Sequence, residues 1–262
     1  MNILKNKSLH KIFGLIGNPL SHSFSKKYFT EKFLSENIPD ASYENFQIDS
    51  LTKLPEIINQ YPALSGLNVT IPYKQEILNH LNFIDPEAKE IGAVNTIKII
   101  RNEYKTRLHG YNTDIFGFEK TLDYLPENYS KGALILGTGG ASAAVAYVLK
   151  KRNIPFYKIS RNQNKEKNIL QYKDISSELI QSYPFIINTS PMGMFPNITI
   201  CPDIPYSLIN SECIAYDLIY NPEETLFMKK CKISGAFTIN GIHMLKFQAE
   251  KAWEIWNRET DF

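Results

Sequence analysis

Three short polar motifs in the first half of the sequence carry groups that could act on a ketone or an alcohol. They are Ser21-His22-Ser23-Phe24-Ser25, Asn68-Val69-Thr70-Ile71-Pro72-Tyr73-Lys74 and Gly110-Tyr111-Asn112-Thr113-Asp114. Polar motifs that follow buried runs tend to be binding loops on a rigid scaffold. Reduction of a ketone needs a hydride donor, a proton donor for the developing alkoxide and polar groups that fix the substrate. Lys74 paired with Asp114 would supply the proton and the positive charge.

The remaining polar groups of these motifs suit a polyhydroxylated acid. Ser23, Ser25 and Thr70 offer hydroxyl groups, and Asn95 offers an amide. Each signal also has a purely structural interpretation, because a lysine after a proline turn is commonly a surface residue and Asn-Thr-Asp is often a helix cap. The prediction therefore rests on the joint occurrence of the motifs.

A glycine-rich segment in the second half predicts a nucleotide site. The apolar run 133–136 leads into Gly137-Thr138-Gly139-Gly140-Ala141-Ser142, which opens a helix rich in small residues. Glycines at such a turn let the backbone approach a pyrophosphate, and the helix N-terminus attracts the anion. Ser142 stands where the third glycine of the usual motif would be, and a tight turn without a ligand is the alternative.

The residues after the next predicted strand indicate which nicotinamide cofactor would bind. Strand 156–159 is followed by Ser160-Arg161-Asn162-Gln163-Asn164-Lys165, and no carboxylate occurs before Glu166. An acidic residue here would hold the ribose of NAD, whereas basic residues accommodate the 2′-phosphate of NADP. Arg161 can contact that phosphate with its planar fork, and Lys165 adds a point charge. The alternative is a solvated basic loop.

Strands and helices alternate along the whole chain, which predicts an α/β fold. We expect a first domain of residues 1–114 with parallel strands and a closing strand pair, Ala93 to Ile100 and Arg107 to Tyr111, completed by a helical tail within 241–262. A nucleotide-binding domain of Rossmann type should span 115–240. Its predicted strands are 133–136, 156–159, 185–188, 214–218 and 236–239.

Composition excludes several other classes of protein. The 262 residues are 43% hydrophobic, with 29 basic against 27 acidic side chains and no long run of like charge, so neither nucleic acid nor a membrane surface is expected as a partner. The sequence shows no signal peptide or membrane span, which predicts a cytoplasmic protein. Its three cysteines have no Cys-x-x-Cys pair, so we expect packed thiols and no metal. An exposed apolar patch on the first half would allow a homodimer.

The ordered motifs resemble those of the shikimate dehydrogenase family from Gly17 to Ala249. The family's Ser-x-Ser loop, Asn-Val-Thr-x-Pro-x-Lys, Gly-Ala-Val-Asn-Thr (92–96), Gly-x-Asn-Thr-Asp and Gly-x-Gly-Gly-Ala all occur in order. Three later segments look like its remaining signatures: Asn188-Thr189-Ser190-Pro191-Met192-Gly193, Asp217-Leu218-Ile219-Tyr220-Asn221-Pro222 and the run from Asn240 to Gln248.

The resemblance implies a two-domain NADP-dependent oxidoreductase that interconverts 3-dehydroshikimate and shikimate, in the pathway to chorismate and the aromatic amino acids. Lys74 would be the acid/base residue and Asp114 its partner. The implied substrate residues are Ser23, Ser25, Thr70, Asn95, Tyr220 and Gln248. The implied cofactor residues are Gly137, Thr138, Gly139, Gly140, Ala141, Ser160, Arg161, Asn162, Lys165, Leu218 and Gly241.

Some positions depart from the family pattern. After Ser25 the family usually has Pro and then His-Asn, where this chain has Lys26 and Phe29-Thr30. Ala143 replaces a frequent arginine, and Ser160 and Asn162 replace the usual residues around Arg161. NADP preference therefore rests on Arg161 and the missing carboxylate.

Three other functions fit the same pattern. An enzyme of this fold could oxidise quinate or prefer NAD, although Arg161 argues against NAD. A non-catalytic binding or regulatory module could have kept the fold, and so could a sensor of NADPH. The presence of both Lys74 and Asp114, with a complete substrate loop, favours the enzyme.

Overall fold

The computed structural model describes residues 10–20, 24–161 and 168–259. The chain divides into two compact units. The first comprises the residues up to Thr113 together with those from Ala249 onward, and the second is Asp114–Gln248.

The first unit is built on a six-stranded mixed sheet in the order β2-β1-β3-β5-β6-β4. Its strands are β1 (Lys11–Gly17), β2 (Ala41–Gln47), β3 (Leu64–Val69), β4 (Phe83–Ile84), β5 (Thr96–Arg101) and β6 (Thr106–Tyr111). The strands β1, β2 and β3 run parallel, whereas β5 runs antiparallel to both β3 and β6. The carboxyl ends of the parallel strands therefore meet at one edge, and the motif from Asn68 to Lys74 lies at the carboxyl end of β3.

Apolar side chains cover both faces of this sheet. Because successive strand residues point to opposite faces, β1 contributes to two separate cores. Ile16 joins the cluster that contains Leu51, whereas Phe13 and Leu15 join a second cluster. The helices of this unit are α1 (Phe24–Ser35), α2 (Leu54–Gln60) and α3 (Pro86–Ile91).

The second of these clusters depends on the last helix of the chain, α8 (Ile242–Asn257). The indole of Trp256 stacks on Phe13 with ring centroids 4.8 Å apart, and its Nε1 donates to the Ile97 carbonyl at 3.0 Å. Gly66 leaves room for this ring. The predicted return of the C-terminal helix to the first unit is therefore confirmed.

The second unit contains six parallel strands in the order β12-β11-β10-β7-β8-β9. Its strands are β7 (Ala133–Leu136), β8 (Phe156–Ser160), β9 (Ile169–Gln171), β10 (Phe185–Asn188), β11 (Ile214–Asp217) and β12 (Phe237–Ile239). Its other helices are α4 (Asp114–Thr121), α5 (Gly140–Lys151), α6 (Ser177–Ser182) and α7 (Leu226–Ile233). The strand order reverses between β7 and β10, as in the doubly wound dinucleotide-binding fold.

The predicted α/β fold class is confirmed, with local differences. The second sheet has a sixth strand, β9, that the sequence did not reveal, because it is only three residues long and all three are half-buried. In the first unit, β4 was also missed, and the predicted strand from Ala93 begins only at Thr96. Ala93, Val94 and Asn95 are buried without belonging to a strand, so their apolar pattern was misleading.

Within the described residues, no helix has the length and apolar character needed to cross a lipid bilayer. The three cysteines are free thiols, and Cys213 and Cys231 are buried. The described part of the chain contains no group of three or more His, Cys, Asp or Glu side chains arranged to hold a metal ion.

Replacing Gly66 by Ala should destabilise the first unit. The new Cβ would lie 2.7 Å from Cε2 of Trp256 and closer still to two other ring atoms. Displacing the indole should lower the free energy of unfolding by about 1–3 kcal/mol, as overpacking does in other cores. Urea unfolding followed by tryptophan fluorescence reports this unit, because both tryptophans, Trp253 and Trp256, lie on the part of α8 that belongs to it.

The matched control is Gly139→Ala. A Cβ at Gly139 would meet nothing within 4 Å, and the residue has an ordinary φ of −80°. Equal urea midpoints for the two variants would contradict the packing role of Gly66.

Candidate functional site

The segment Thr70 to Lys74 forms a tight turn after β3. The Thr70 amide donates to the Ile16 carbonyl at 2.9 Å, and the Tyr73 amide donates to the Thr70 carbonyl at 3.0 Å. The Lys74 carbonyl accepts from the Val94 amide at 2.7 Å. The first unit therefore brings Lys74 beside Val94, the residue that precedes Asn95.

Asn95 is 3% exposed, and its amide is held in one orientation. Its Oδ1 accepts from the Thr113 backbone amide at 2.7 Å and from the Thr113 hydroxyl at 3.1 Å. A backbone N–H can only donate, so the oxygen of this side chain must face Thr113. Any hydrogen bond from Asn95 to a substrate must then come from its Nδ2, as a donor.

Ser25 lies in the first turn of α1 and is half-buried. Burial raises the pKa of the Tyr43 phenol, and a hydrogen bond from the Ser25 side chain opposes this rise, which places the serine beside that phenol. The Tyr43 hydroxyl in turn donates to Oδ1 of Asn68 at 2.8 Å. The other predicted serine, Ser23, lies outside the described residues.

Asp114 and Gln248 belong to two helices of the second unit that pack closely. Asp114 is the first residue of α4 and is 6% exposed. The close approach of the two helices is seen at Gly117, one turn further along α4. A Cβ added to this glycine would lie only 2.7 Å from the Met244 carbonyl oxygen and 3.1 Å from Cβ of Gln248, both in α8. Gln248 is 8% exposed and donates from Nε2 to the Leu245 carbonyl at 2.9 Å. These two predicted residues thus lie on neighbouring helices.

The glycine-rich segment joins β7 to α5, as predicted. Gly137 has a φ of +121°, which favours glycine, and its amide donates to the Ile159 carbonyl at 2.9 Å. Ser142 is fully buried and its hydroxyl donates to the Gly137 carbonyl at 2.8 Å, so the residue in place of the third glycine closes the loop. The first turn of α5 contains no acidic residue. Its N-terminus can therefore accept a pyrophosphate.

The basic residues predicted for the 2′-phosphate follow β8. Ser160 ends that strand and Arg161 is exposed directly after it. Arg161 is close enough to Tyr172 to oppose the rise in the tyrosine pKa that burial causes. Asn162 and Lys165 lie outside the described residues.

The end of β11 brings two predicted cofactor residues together. The Gly241 amide donates to the Ile219 carbonyl at 3.0 Å, and an added Cβ at Gly241 would overlap the Leu218 carbonyl group. Only glycine allows this approach. Tyr220 follows two residues after Leu218 and is half-buried.

Asp217 organises this end of the sheet, although its motif did not mark it as a site residue. It is fully buried, and its Oδ1 accepts from Asn188 Nδ2 and from the Ile219 amide, each at 3.0 Å. Its Oδ2 accepts from the Thr225 hydroxyl at 2.6 Å. Thr225 also caps α7. An Asp at the end of an apolar strand was the available signal, but the side chains that bind its carboxylate, Asn188 and Thr225, lie in other segments of the chain.

Asn188 extends this network to the next loop. Its Oδ1 accepts from the Ser190 amide at 3.1 Å and from the Ser190 hydroxyl at 2.7 Å. The Thr189 hydroxyl donates to the Leu136 carbonyl at 2.9 Å, directly before the glycine loop. The carboxyl ends of β7, β10 and β11 are therefore connected by hydrogen bonds, at the position where doubly wound sheets bind dinucleotides.

The fold and these residues define a two-unit α/β protein of the dinucleotide-dependent oxidoreductase class. Residues 15–97 match the family pattern of the shikimate dehydrogenase substrate binding domain. The shikimate dehydrogenase (NADP(+)) of Methanococcus aeolicus is 37% identical over 260 residues, covering 94% of this chain and 91% of that protein. The chain belongs to the shikimate dehydrogenase family, which confirms the assignment made from its motifs.

Solved structures support the same assignment. Shikimate dehydrogenase 1 from Peptoclostridium difficile is 38% identical, with a TM-score of 0.80 and coverage of 96% of this chain and 93% of that chain. The shikimate 5-dehydrogenase of Thermus thermophilus in complex with NADP(H) and shikimate is 29% identical, with a TM-score of 0.79 and coverage of 94% and 93%.

Replacing Asp217 by Asn should remove a pH dependence of folding stability. Burial raises the pKa of the Asp217 carboxyl to about 6, although hydrogen bonds from Thr225, Ile219 and Asn188 oppose part of the rise. Between about pH 4 and pH 6 the folded protein then binds a proton that the unfolded chain has released. The free energy of unfolding should fall by about 3 kcal/mol as pH rises through this window.

Urea unfolding followed by far-ultraviolet circular dichroism at both ends of this window measures the effect. Asp217→Asn should lack this component of the slope. The exposed carboxylate of Asp203, in the same unit, provides the control variant Asp203→Asn, which should behave as the wild type does. An unchanged slope in Asp217→Asn would show that the raised pKa is not coupled to folding.

Proposed function

We propose that the protein is an NADP-dependent shikimate dehydrogenase, which reversibly reduces 3-dehydroshikimate to shikimate on the route to chorismate and the aromatic amino acids. The observation that carries the proposal is the main-chain pairing of the segment 69–74 with the segment 94–95, in a chain of this family. The Val69 amide donates to the Asn95 carbonyl at 2.8 Å, and the Val94 amide donates to the Lys74 carbonyl at 2.7 Å. The hydroxyl of Thr70, the ammonium group of Lys74 and the amide donor of Asn95 would together suit a substrate with several hydroxyl groups and a ketone.

The two predicted domains would divide the task. Residues 1–114, completed by 241–262, would bind the substrate, and residues 115–240 would bind NADP. The family pattern for substrate binding falls within the first of these ranges, at 15–97. The glycine loop, the first turn of α5 without an acidic residue and the strand order around β7 support the second assignment.

In the proposed reaction, NADPH bound by the second domain would supply a hydride to the carbonyl carbon and would be released as NADP⁺. Lys74 donates a proton to the carbonyl oxygen as its negative charge develops, and in the reverse direction it accepts the hydroxyl proton. Asp114 orients Lys74 and compensates its charge. A proton donor placed in this way contributes roughly 10²–10⁴ in rate.

The other groups would fix the two ligands. Asn95 would donate to a substrate hydroxyl, because its oxygen is committed to Thr113. The remaining proposed substrate residues are Ser23, Ser25, Thr70, Tyr220 and Gln248. The proposed cofactor residues are Gly137, Thr138, Gly139, Gly140, Ala141, Ser160, Arg161, Asn162, Lys165, Leu218 and Gly241.

The cytoplasm as location and a homodimer as assembly also remain proposals. Exposed apolar side chains of the first unit, such as Leu34 and Ile71, are consistent with self-association. Light scattering after size-exclusion chromatography would decide between monomer and dimer.

Lys74→Met should reduce turnover of shikimate with NADP by about 10²–10⁴, because it removes the proton donor and keeps most of the unbranched side chain. The rate is measured from the near-ultraviolet absorbance of NADPH. Asp114→Asn should also lose activity in this assay. Lys105→Met, at an exposed position in the hairpin between β5 and β6, should keep the wild-type activity.

A folded wild-type protein that binds NADP without turning over shikimate would favour the regulatory alternative. Equal rates with quinate and with shikimate would remove the claim of substrate specificity.

Arg161→Gln should weaken the preference for NADP over NAD. Loss of charge-assisted hydrogen bonds to the 2′-phosphate should raise KM for NADP by about ten-fold to a hundred-fold and leave KM for NAD nearly unchanged. Steady-state kinetics with each cofactor at saturating shikimate measure both constants. Lys131→Gln, which removes a positive charge just before the amino end of β7, is the control. Equal changes for the two cofactors would contradict the role of Arg161.

A further inference from the structure

Tyr43 is a buried tyrosine of β2 whose hydroxyl joins a polar network beneath the proposed substrate residues. Its side chain is 2% exposed, and its ring stacks on Phe29 with centroids 4.7 Å apart and planes inclined by 11°. The hydroxyl donates to Asn68 Oδ1 at 2.8 Å. Neither the family motifs nor the hydrophobic pattern gave this residue a role.

The partners of Asn68 fix the direction of this hydrogen bond. Asn68 Nδ2 lies 3.3 Å from the Asn95 carbonyl oxygen and 3.2 Å from the Thr96 hydroxyl. A backbone carbonyl can only accept, so the nitrogen of the Asn68 amide must face it. The amide oxygen then faces Tyr43, and the tyrosine hydroxyl must be the donor.

The same reasoning continues towards the proposed catalytic residues. The Thr96 hydroxyl accepts from Asn68, so its own proton is available for Asn95 Oδ1 at 3.1 Å. That oxygen also accepts from the backbone amide of Thr113, the residue before Asp114. Each of Asn68, Asn95, Thr96 and Thr113 is 5% exposed or less. Water therefore cannot readily replace a missing partner.

We propose that Tyr43 is a positioning residue for the substrate site, acting through Asn68 on the orientation of Asn95. This inference rests on the proposed function. Without the Tyr43 hydroxyl, the oxygen of Asn68 is buried and lacks its donor, so the amide loses the contact that selects its orientation. The Asn95 main chain and the Thr96 hydroxyl then lose a fixed partner, and the Asn95 donor is held less firmly against a substrate hydroxyl.

Tyr43→Phe tests the proposal, because it removes only the hydroxyl and retains the ring against Phe29. It also removes the contact of this hydroxyl with Ser25, so the Thr96→Val variant, which keeps that contact, decides whether the effect passes through Asn68. KM for shikimate should rise about five-fold, while kcat and KM for NADP change by less than about two-fold. A merely structural role would instead lower thermal stability and the active fraction. That loss reduces the apparent kcat and leaves KM for shikimate unchanged.

Tyr28→Phe is the matched control. Tyr28 also belongs to the first unit, and its hydroxyl donates to Glu250, outside the Asn68 network. Its removal should leave KM for shikimate at the wild-type value. An unchanged KM for shikimate in folded Tyr43→Phe, or an equal rise in Tyr28→Phe, would overturn the role of Tyr43.

Thr96→Val provides an independent test, including the case in which Tyr43→Phe does not fold. It removes another hydroxyl of the same network and should also raise KM for shikimate, and an unchanged KM would overturn the proposal. Combined with Tyr43→Phe, its effect on log KM should be less than additive, because both act through Asn68. A wild-type protein that does not turn over shikimate would contradict the proposed function itself. If the wild type is active and KM for shikimate is unchanged in the variants, only the role of Tyr43 is contradicted, so the two failures can be distinguished.

Discussion

Buried polar side chains at the carboxyl ends of central strands must find hydrogen-bond partners within the protein, and both units are organised around this requirement. Asn68 in the first unit and Asn188 and Asp217 in the second are each 5% exposed or less. Leaving such a group without a partner costs about 1–3 kcal/mol, which is a large part of the net stability of a domain. The strand ends are therefore fixed relative to each other by side-chain hydrogen bonds in addition to the sheet ladders.

This requirement explains why the residues proposed to bind ligands occur in a few loops. In the first unit the carbonyl of Asn95 accepts from Val69 and Asn68, while its side chain holds Thr113. In the second unit, Asp217 and Asn188 connect the loops that carry Leu218, Ser190 and Thr189. Groups whose positions are set in this way before a ligand arrives lose little freedom on binding, which is how a rigid scaffold contributes to orientation in catalysis.

The sequence predicted the elements and residues whose signals are local. The glycine loop could be recognised because its spacing lies within six residues between a fully apolar strand and a helix, and even its departure, Ser142, has a local role through the Gly137 carbonyl. The roles of Tyr43 and Asp217 could not be predicted. Tyr43 meets Asn68 twenty-five positions away and Asp217 meets Asn188 twenty-nine positions away, and such pairs arise only from the sheet register. The short strand β9 was missed because three half-buried residues give no periodic pattern.

The two networks also differ in their response to protons. The chain of hydrogen bonds from Tyr43 to Thr113 consists of amide and hydroxyl groups, and burial raises the pKa of the Tyr43 phenol further above its ordinary value. These links therefore keep their donors and acceptors across the physiological range. The network of the second unit depends on a carboxylate whose pKa is raised to about 6, so protonation would turn one of its acceptors into a donor facing Thr225, Asn188 or the Ile219 amide. Because the folded second unit binds this proton more tightly than the unfolded chain does, its stability should change between about pH 4 and pH 6, whereas the amide and hydroxyl groups around Asn68 do not titrate there. The pH sensitivity of folding in this range should therefore originate in the second unit.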